Sequence, residues 1–132
     1  DAFAATGGAW LNNTAVTTPD GHIHMEGISI SKRKYETTIE PEADCRILMS
    51  HYPILVDTVP EEKFDLILAG HSHGGQVRLP LIGAPVLPRM VGRYDLGLFE
   101  TAAGPLYVNP GIGTWHLPVR FMCRPEITVI TL

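Results

Sequence analysis

Gly70-His71-Ser72-His73-Gly74-Gly75-Gln76 follows the apolar run Asp65-Leu66-Ile67-Leu68-Ala69, and this junction decides how the chain is read. The run is short, continuous and closed by glycine, the pattern of a buried strand. At its end two imidazoles stand one residue apart. Glycines at 70, 74 and 75 let the backbone bend tightly and let a substrate come close. A second run, Cys45-Arg46-Ile47-Leu48-Met49-Ser50, ends the same way, in His51. Two buried strands that deliver histidine at their C-terminal ends describe a site at the edge of an open α/β sheet. Neutral imidazole is a common ligand for zinc, manganese and iron. His51, His71 and His73 are therefore the candidate metal ligands. In a tight loop His71 and His73 can reach two neighbouring ions; all three imidazoles could instead share one zinc. The sequence offers no packing reason for the flanking glycines, which argues against three merely structural histidines.

The 132 residues have room for one domain or a large piece of one, and 45% hydrophobic content is enough to bury a core. Eleven prolines and thirteen glycines favour strands and loops over a helical bundle. The formal net charge is −4, and the one basic cluster, Lys32-Arg33-Lys34, reads as a solvated loop. No nucleic-acid partner is expected. Cys45 and Cys123 form no CxxC pair and read as small buried side chains. No apolar run approaches the ~20 residues of a membrane span, and no signal-peptide pattern is present. The chain opens on Asp1, which suggests a processed product, a cut piece or a natural truncation.

Residues 1–8 read as the tail of a helix stopped by Gly7-Gly8, and 9–13 as a short strand. Residues 15–18 and 22–25, joined by Pro19-Asp20-Gly21, read as a hairpin, since Asp-Gly between β-prone runs is a strong turn signal. The strand is expected to continue through 28–30. Alternation places His22 and His24 on an exposed face, as solvated histidines with no acid nearby. Residues 31–44 read as a loop. Residues 45–50 and 65–69 are strands, and a short helix over 53–59 makes them a parallel crossover. After an extended 76–79, the prolines at 80, 85 and 88 hold an irregular, apolar excursion, read as a loop packed over the core or as a surface for lipid. Residues 93–101, 105–109, 119–122 and 127–132 read as strands. Asp57 and Asp65 read as capping or solvated acids.

Three hydrolase patterns are set aside. A metallo-β-lactamase-type HxHxDH fails because Gly75 and Gln76 stand where Asp and His would be needed. The zinc-protease HExxH is read as absent, and so is the GxSxG that a Ser/His/Asp hydrolase would want.

Ser50-His51-Tyr52-Pro53, followed by Asp65 through Gln76, resembles the last two motifs of the calcineurin-like metallophosphoesterases. The stretch Val77-Arg78-Leu79-Pro80, Gly111-Ile112-Gly113-Thr114, and Pro118-Val119-Arg120-Phe121 to Arg124-Pro125-Glu126 resemble one bacterial branch, which contains envelope-associated phosphodiesterases. The resemblance runs from about residue 8 to 132. It implies an α/β, strand-rich fold, part of a β-sandwich flanked by helices, with few helices in this chain. It implies that residues 1–132 are the C-terminal portion of a single metallophosphoesterase domain, following the DxH, GDxxD-like and GNH[DE] segments. Carried over, His51 and His71 resemble ligands of one metal and His73 a ligand of the other, with Asn109-Pro110-Gly111 as a supporting loop. No catalytic residue is assigned with certainty in this chain.

The implied activity is metal-dependent hydrolysis of a phosphoester, foremost a phosphodiester. In the complete enzyme two divalent ions (Zn, Mn or Fe) would hold the phosphate and activate water; this fragment would bind one ion or none and be inactive alone. The expected partners are the phosphoester substrate, the missing N-terminal half of the domain, and a second copy met through exposed strand edges. The implied location is the bacterial envelope or the membrane periphery. The alternative is a non-catalytic metal-binding or partner-docking module that keeps a remnant of the fold.

Overall fold

Residues rich in Val, Ile and Leu supply the centre of one six-stranded sheet in a computed structural model, which describes residues 5–32, 34–36, 42–61 and 63–132. The strands are β1 (Thr14–Thr17), β2 (Ile23–Ile28), β3 (Cys45–Ser50), β4 (Leu66–Ala69), β5 (Gly97–Thr101) and β6 (Gly104–Val108). Their spatial order is β1-β2-β3-β4-β6-β5. The inner four run parallel, and β1 and β5 pair antiparallel at the two edges. This is the strand-rich α/β class expected from the sequence.

The register sets the site. Ser50 pairs with Ala69 and Ala69 with Val108. The next residues along the three strands, His51, Gly70 and Asn109, therefore leave the sheet at one level. Leu48, Ile67, Leu106 and Val108 are fully buried at the centre, packed with Val56, Val59, Phe64 and Tyr94. Each such side chain contributes roughly 1.5–3 kcal/mol of apolar burial.

The β3–β4 connection is the expected crossover. Its helix is a 3-10 turn over Pro53–Thr58, opened by a proline whose fixed φ suits a first helical position. Leu55 and Val56 bury its inner face. Close backbone approach requires Gly104: a Cβ there would lie 2.0 Å from the Phe64 carbonyl oxygen.

The β1–β2 hairpin forms on the Asp20-Gly21 turn, with Gly21 at φ 82°. The expectation for its histidines needs correction. His24 is buried: its Nδ1 pairs with Thr17 Oγ1 at 2.9 Å, and its Nε2 stands 3.3 Å from Glu26 Oε1. Tyr35 donates to the other Glu26 oxygen at 2.6 Å. The segment carrying Tyr35 covers this face of β2, so these polar side chains point inward, and His24 Nε2 is left buried beside Glu26 without a hydrogen bond. His22 is exposed but pairs with Asp44. Lys32 and Lys34 pair with Glu36.

Other expectations shift at the ends of the chain. Residues 9–13 form no strand, and β2 stops at Ile28. Gln76 has φ 58°, not an extended backbone, and Val77 and Leu79 make only isolated bridges. Of 119–122 only Phe121 makes a bridge, to Val77. Residues 127–132 form no strand; Ile127 and Val129 are 83% and 89% exposed. A strand needs a neighbour, and no described segment pairs with this one. The helix tail read over 1–8 and the loop read over 31–44 lie partly outside the described residues; Ala5 keeps a helical backbone and Gly7, at φ 75°, ends it. The 80–92 excursion divides: Val91 is buried, while Leu81, Ile82 and Val86 are exposed. Among the described residues no helix is long and apolar enough to cross a membrane.

Candidate metal centre

The loop after β4 is built from unusual backbone. His71, His73, Gly74, Gly75 and Gln76 all have φ between 50° and 76°. For a residue with a side chain such a conformation is uncommon, and strain of this kind concentrates where geometry serves function. Ser72 holds the turn. It is fully buried, and its Oγ accepts from the Gly74 N–H at 3.0 Å.

The glycines do have a packing reason, contrary to expectation. A Cβ on Gly74 would sit 2.5 Å from Cys123 Sγ, and one on Gly75 2.3 Å from Ala84 Cβ. Both contacts are with distant parts of the chain, so the sequence alone hides them. Gly70 is different: a Cβ there would meet nothing closer than the Asn109 carbonyl at 4.0 Å.

His51 and His71 come together. Their ring centroids are 4.7 Å apart, and Tyr52 packs edge-on against both. His71 Nε2 lies 2.8 Å from the Arg89 carbonyl oxygen. A carbonyl can only accept, so Nε2 carries the proton and Nδ1 keeps its lone pair for a cation. This clamp from residue 89 was not foreseen, because it spans 18 residues with no motif to mark it. Main-chain bonding from Ile54 N–H to the Met90 carbonyl ties the same segment to the 3-10 turn.

Among the described residues His73 makes no ring contact of the kind that joins His51 to His71. The Gly113 carbonyl faces its ring, and its Nδ1 is buried with no hydrogen-bond partner. Burial lowers the pKa of His51, and the neighbouring His71 and His73 lower it further. Burial also lowers that of His73, and the Arg120 guanidinium adds to the effect. Both rings are held in the neutral form that binds metal.

These features fit a divalent cation: a free lone pair on His71, an orphaned ring nitrogen on His73, and neutral imidazoles. Among the described residues no three His, Cys, Asp or Glu side chains converge on one point. The single zinc held by all three histidines is therefore not formed here. Asp57 and Asp65 are engaged away from the rings: Asp57 accepts from Tyr94 OH, and Asp65 accepts from the Arg46 N–H. Asn109 closes the neighbouring loop by accepting from the Gly111 N–H, and it donates to Thr128.

Two short spellings are resolved by place. Gly70-His71-Ser72-His73-Gly74 does spell GxSxG, the pattern of the serine hydrolases. Ser72 has no exposed surface, and its hydroxyl is engaged as a turn cap, so it cannot act as a nucleophile. Asp20-Gly21-His22 spells DxH, but it precedes β2 and so lies at the opposite edge of the parallel strands from His51 and Gly70.

Comparison with known proteins places this arrangement in a family. The chain is 36% identical over 110 residues to the uncharacterized metallophosphoesterase YkuE of Bacillus subtilis, covering 82% of this chain and 38% of that one. It is 38% identical over 87 residues to the phosphodiesterase YaeI of Escherichia coli, covering 66% of this chain and 32% of the relative. It is 31% identical over 138 residues to the uncharacterized protein YpbG of Bacillus subtilis, covering 98% of this chain and 50% of the relative. No protein-family model matches the chain, and no solved structure matches it. The chain belongs to the calcineurin-like metallophosphoesterase superfamily. It spans a third to a half of the length of these curated relatives. The family's phosphoesterase chemistry depends on divalent metal.

Proposed function

We propose that residues 1–132 are the C-terminal portion of a single metallophosphoesterase domain that, when complete, hydrolyses a phosphoester, foremost a phosphodiester. The observation that carries this reading is the His51–His71 pair, delivered by adjacent parallel strands with rings 4.7 Å apart and with the His71 proton tied to the Arg89 carbonyl. The greater length of the relatives supports an incomplete domain.

In this reading His51 and His71 serve one divalent ion and His73 a second, of zinc, manganese or iron; the remaining ligands come from upstream. When bound, the ions supply positive charge to a phosphate and make a water more acidic. The chain's own part is to favour the neutral form of His51 and His73 and to fix the direction of the His71 ring. With half of the ligands missing, the 132 residues alone bind at most one ion and have no activity.

The exposed apolar residues of 127–132 pair with the upstream part of the domain. In the isolated chain the same surface favours self-association. The exposed Leu81, Ile82 and Val86 support a place at the bacterial envelope or membrane periphery, tested by co-sedimentation of the full-length protein with anionic vesicles against a Leu81→Ser/Ile82→Ser variant. The alternative of a non-catalytic metal-binding or partner-docking module draws on the incomplete ligand set.

One experiment separates the two. The full-length protein and its His71→Ala variant are analysed for bound metal and assayed with a generic chromogenic phosphodiester. Turnover that falls about 100-fold or more in the variant together with its metal content supports the enzyme. Metal binding without turnover in the wild type supports the module.

A further inference from the structure

We propose that Arg120 is a positioning residue for His73, clamping the histidine loop to residues 110–123 so that the His73 ring is presented to a divalent cation. The proposal rests on the metal-site reading above.

Arg120 makes an uncommon set of contacts. Its Nη2 donates to the carbonyl oxygens of Pro110 at 2.7 Å, Gly111 at 3.2 Å and Gly113. Its Nε donates to Gly113 as well, at 3.1 Å. Its Nη1 reaches the His73 and Cys123 carbonyls, both at 3.4 Å, and Cys123 Sγ at 3.5 Å. A guanidinium has five N–H donors in a rigid fork. Here they converge on main-chain carbonyls, and among the described residues no carboxylate shares them. An arginine beside a phosphoesterase site would ordinarily be a candidate to grip the phosphate. This one has its donors committed, which decides for a structural clamp over a substrate contact.

The clamp acts on His73 from two sides. One arm holds the His73 carbonyl and fixes the main chain beneath the ring. The other arm holds Gly113, the residue whose carbonyl faces the ring. Little else orders this segment. Residues 112–119 are exposed and carry no regular structure. Apart from Arg120 they are tied down by Gln76, whose amide donates to the Leu117 and Val119 carbonyls and accepts from the Trp115 N–H. Cys123 completes the seat: its thiol donates to the His73 carbonyl at 3.4 Å and fills the space that Gly74 leaves open. Partners that orient a ligand in this way are worth about 10- to 100-fold in metal affinity.

The test uses the full-length protein as wild type, Arg120→Lys, Arg120→Ala, His73→Ala and Arg46→Met; the last removes an arginine paired with Asp65, far from the loop. Manganese binding is measured by titration calorimetry. The His73 ring nitrogens are followed by NMR in metal-free protein. The expected result is about a 10- to 100-fold loss of affinity for one ion in both Arg120 variants and a second, averaged His73 environment. Millimolar guanidinium is expected to restore both readouts in Arg120→Ala, while Arg46→Met stays as wild type. Unchanged affinity and unchanged His73 signals in Arg120→Lys overturn the proposal; so does an equal loss in Arg46→Met. If Arg120→Ala does not fold, Arg120→Lys, which keeps the charge but not the fork, decides the question. If His73→Ala binds manganese as well as wild type, the metal-site reading fails. The NMR readout then still judges whether Arg120 orients the ring.

Discussion

Gly75 meets Ala84 where a Cβ would stand and has φ 76°, so Gly75→Ala combines a clash with a strained backbone. It is expected to cost about 1–3 kcal/mol, read by urea denaturation, and to weaken metal binding. For the stability measurement alone Gly113→Ala is the control, since its added Cβ meets nothing within 4 Å. The histidines carry a pH dependence of defined sign. His51 and His73 have pKa values below the ordinary 6.5. Below that pH the unfolded chain binds more protons than the folded one, so stability rises with pH through this window. Metal-free protein is therefore expected to lose stability as pH falls below 6.5, an effect reduced in His51→Asn and measured by denaturation at a series of pH values. His22 behaves in the opposite sense, because its hydrogen bond to Asp44 raises its pKa. What it contributes is present below 6.5 and lost as pH rises through its folded pKa. NMR titration is expected to place the His22 pKa above 6.5 and to bring it down in Asp44→Asn. At this scale the sequence told which side chains to watch: the residue types at 51, 71 and 73 and the glycines beside them. It could not tell that Arg89 fixes a tautomer, or that Cys123 and Ala84 demand the glycines, because each contact joins residues that are far apart in the chain.

Elements were legible where a strand finds its partners nearby. The run Cys45–Ser50 becomes β3 with those bounds, and the Asp20-Gly21 hairpin forms. Both have apolar patterns that agree with local turn chemistry. The reading failed where the composition suited a strand and no neighbour was at hand: residues 127–132 are rich in β-branched residues but pair with no described strand. It failed again at β2, where alternation was taken to put His24 in solvent. The buried face there is polar: Thr17 bonds the imidazole, Glu26 lies beside it, and Tyr35 donates to Glu26. The crossover into β4 depends on packing that mutation can probe. Leu48→Ala, at a position with no exposed surface, is expected to cost about 2–5 kcal/mol. Its effect on metal binding is expected to follow stability alone, which distinguishes it from Gly75→Ala when both are compared at matched folded fraction.

Across the whole molecule, four parallel strands form the centre of the sheet and two antiparallel strands form its edges. The candidate ligands hang from β3 and β4, each flanked by a strand on both sides. Among the described residues β1 and β5 each have one flanking strand and an open side. Openings that spare the global fold begin at such margins. Deuterium uptake by the backbone is therefore expected to be slowest at Ile67 and Leu68, which precede the histidine loop, and faster in β1 and β5. Resolved by mass spectrometry or NMR, equal uptake across all six strands would contradict this. Because Ser50, Ala69 and Val108 lie level in the sheet, the three site loops share one anchor line on the strands that open last. Local fluctuation can then loosen the rim of the molecule many times over while the distance between His51 and His71 is kept. The lifetime of the site becomes the lifetime of the fold.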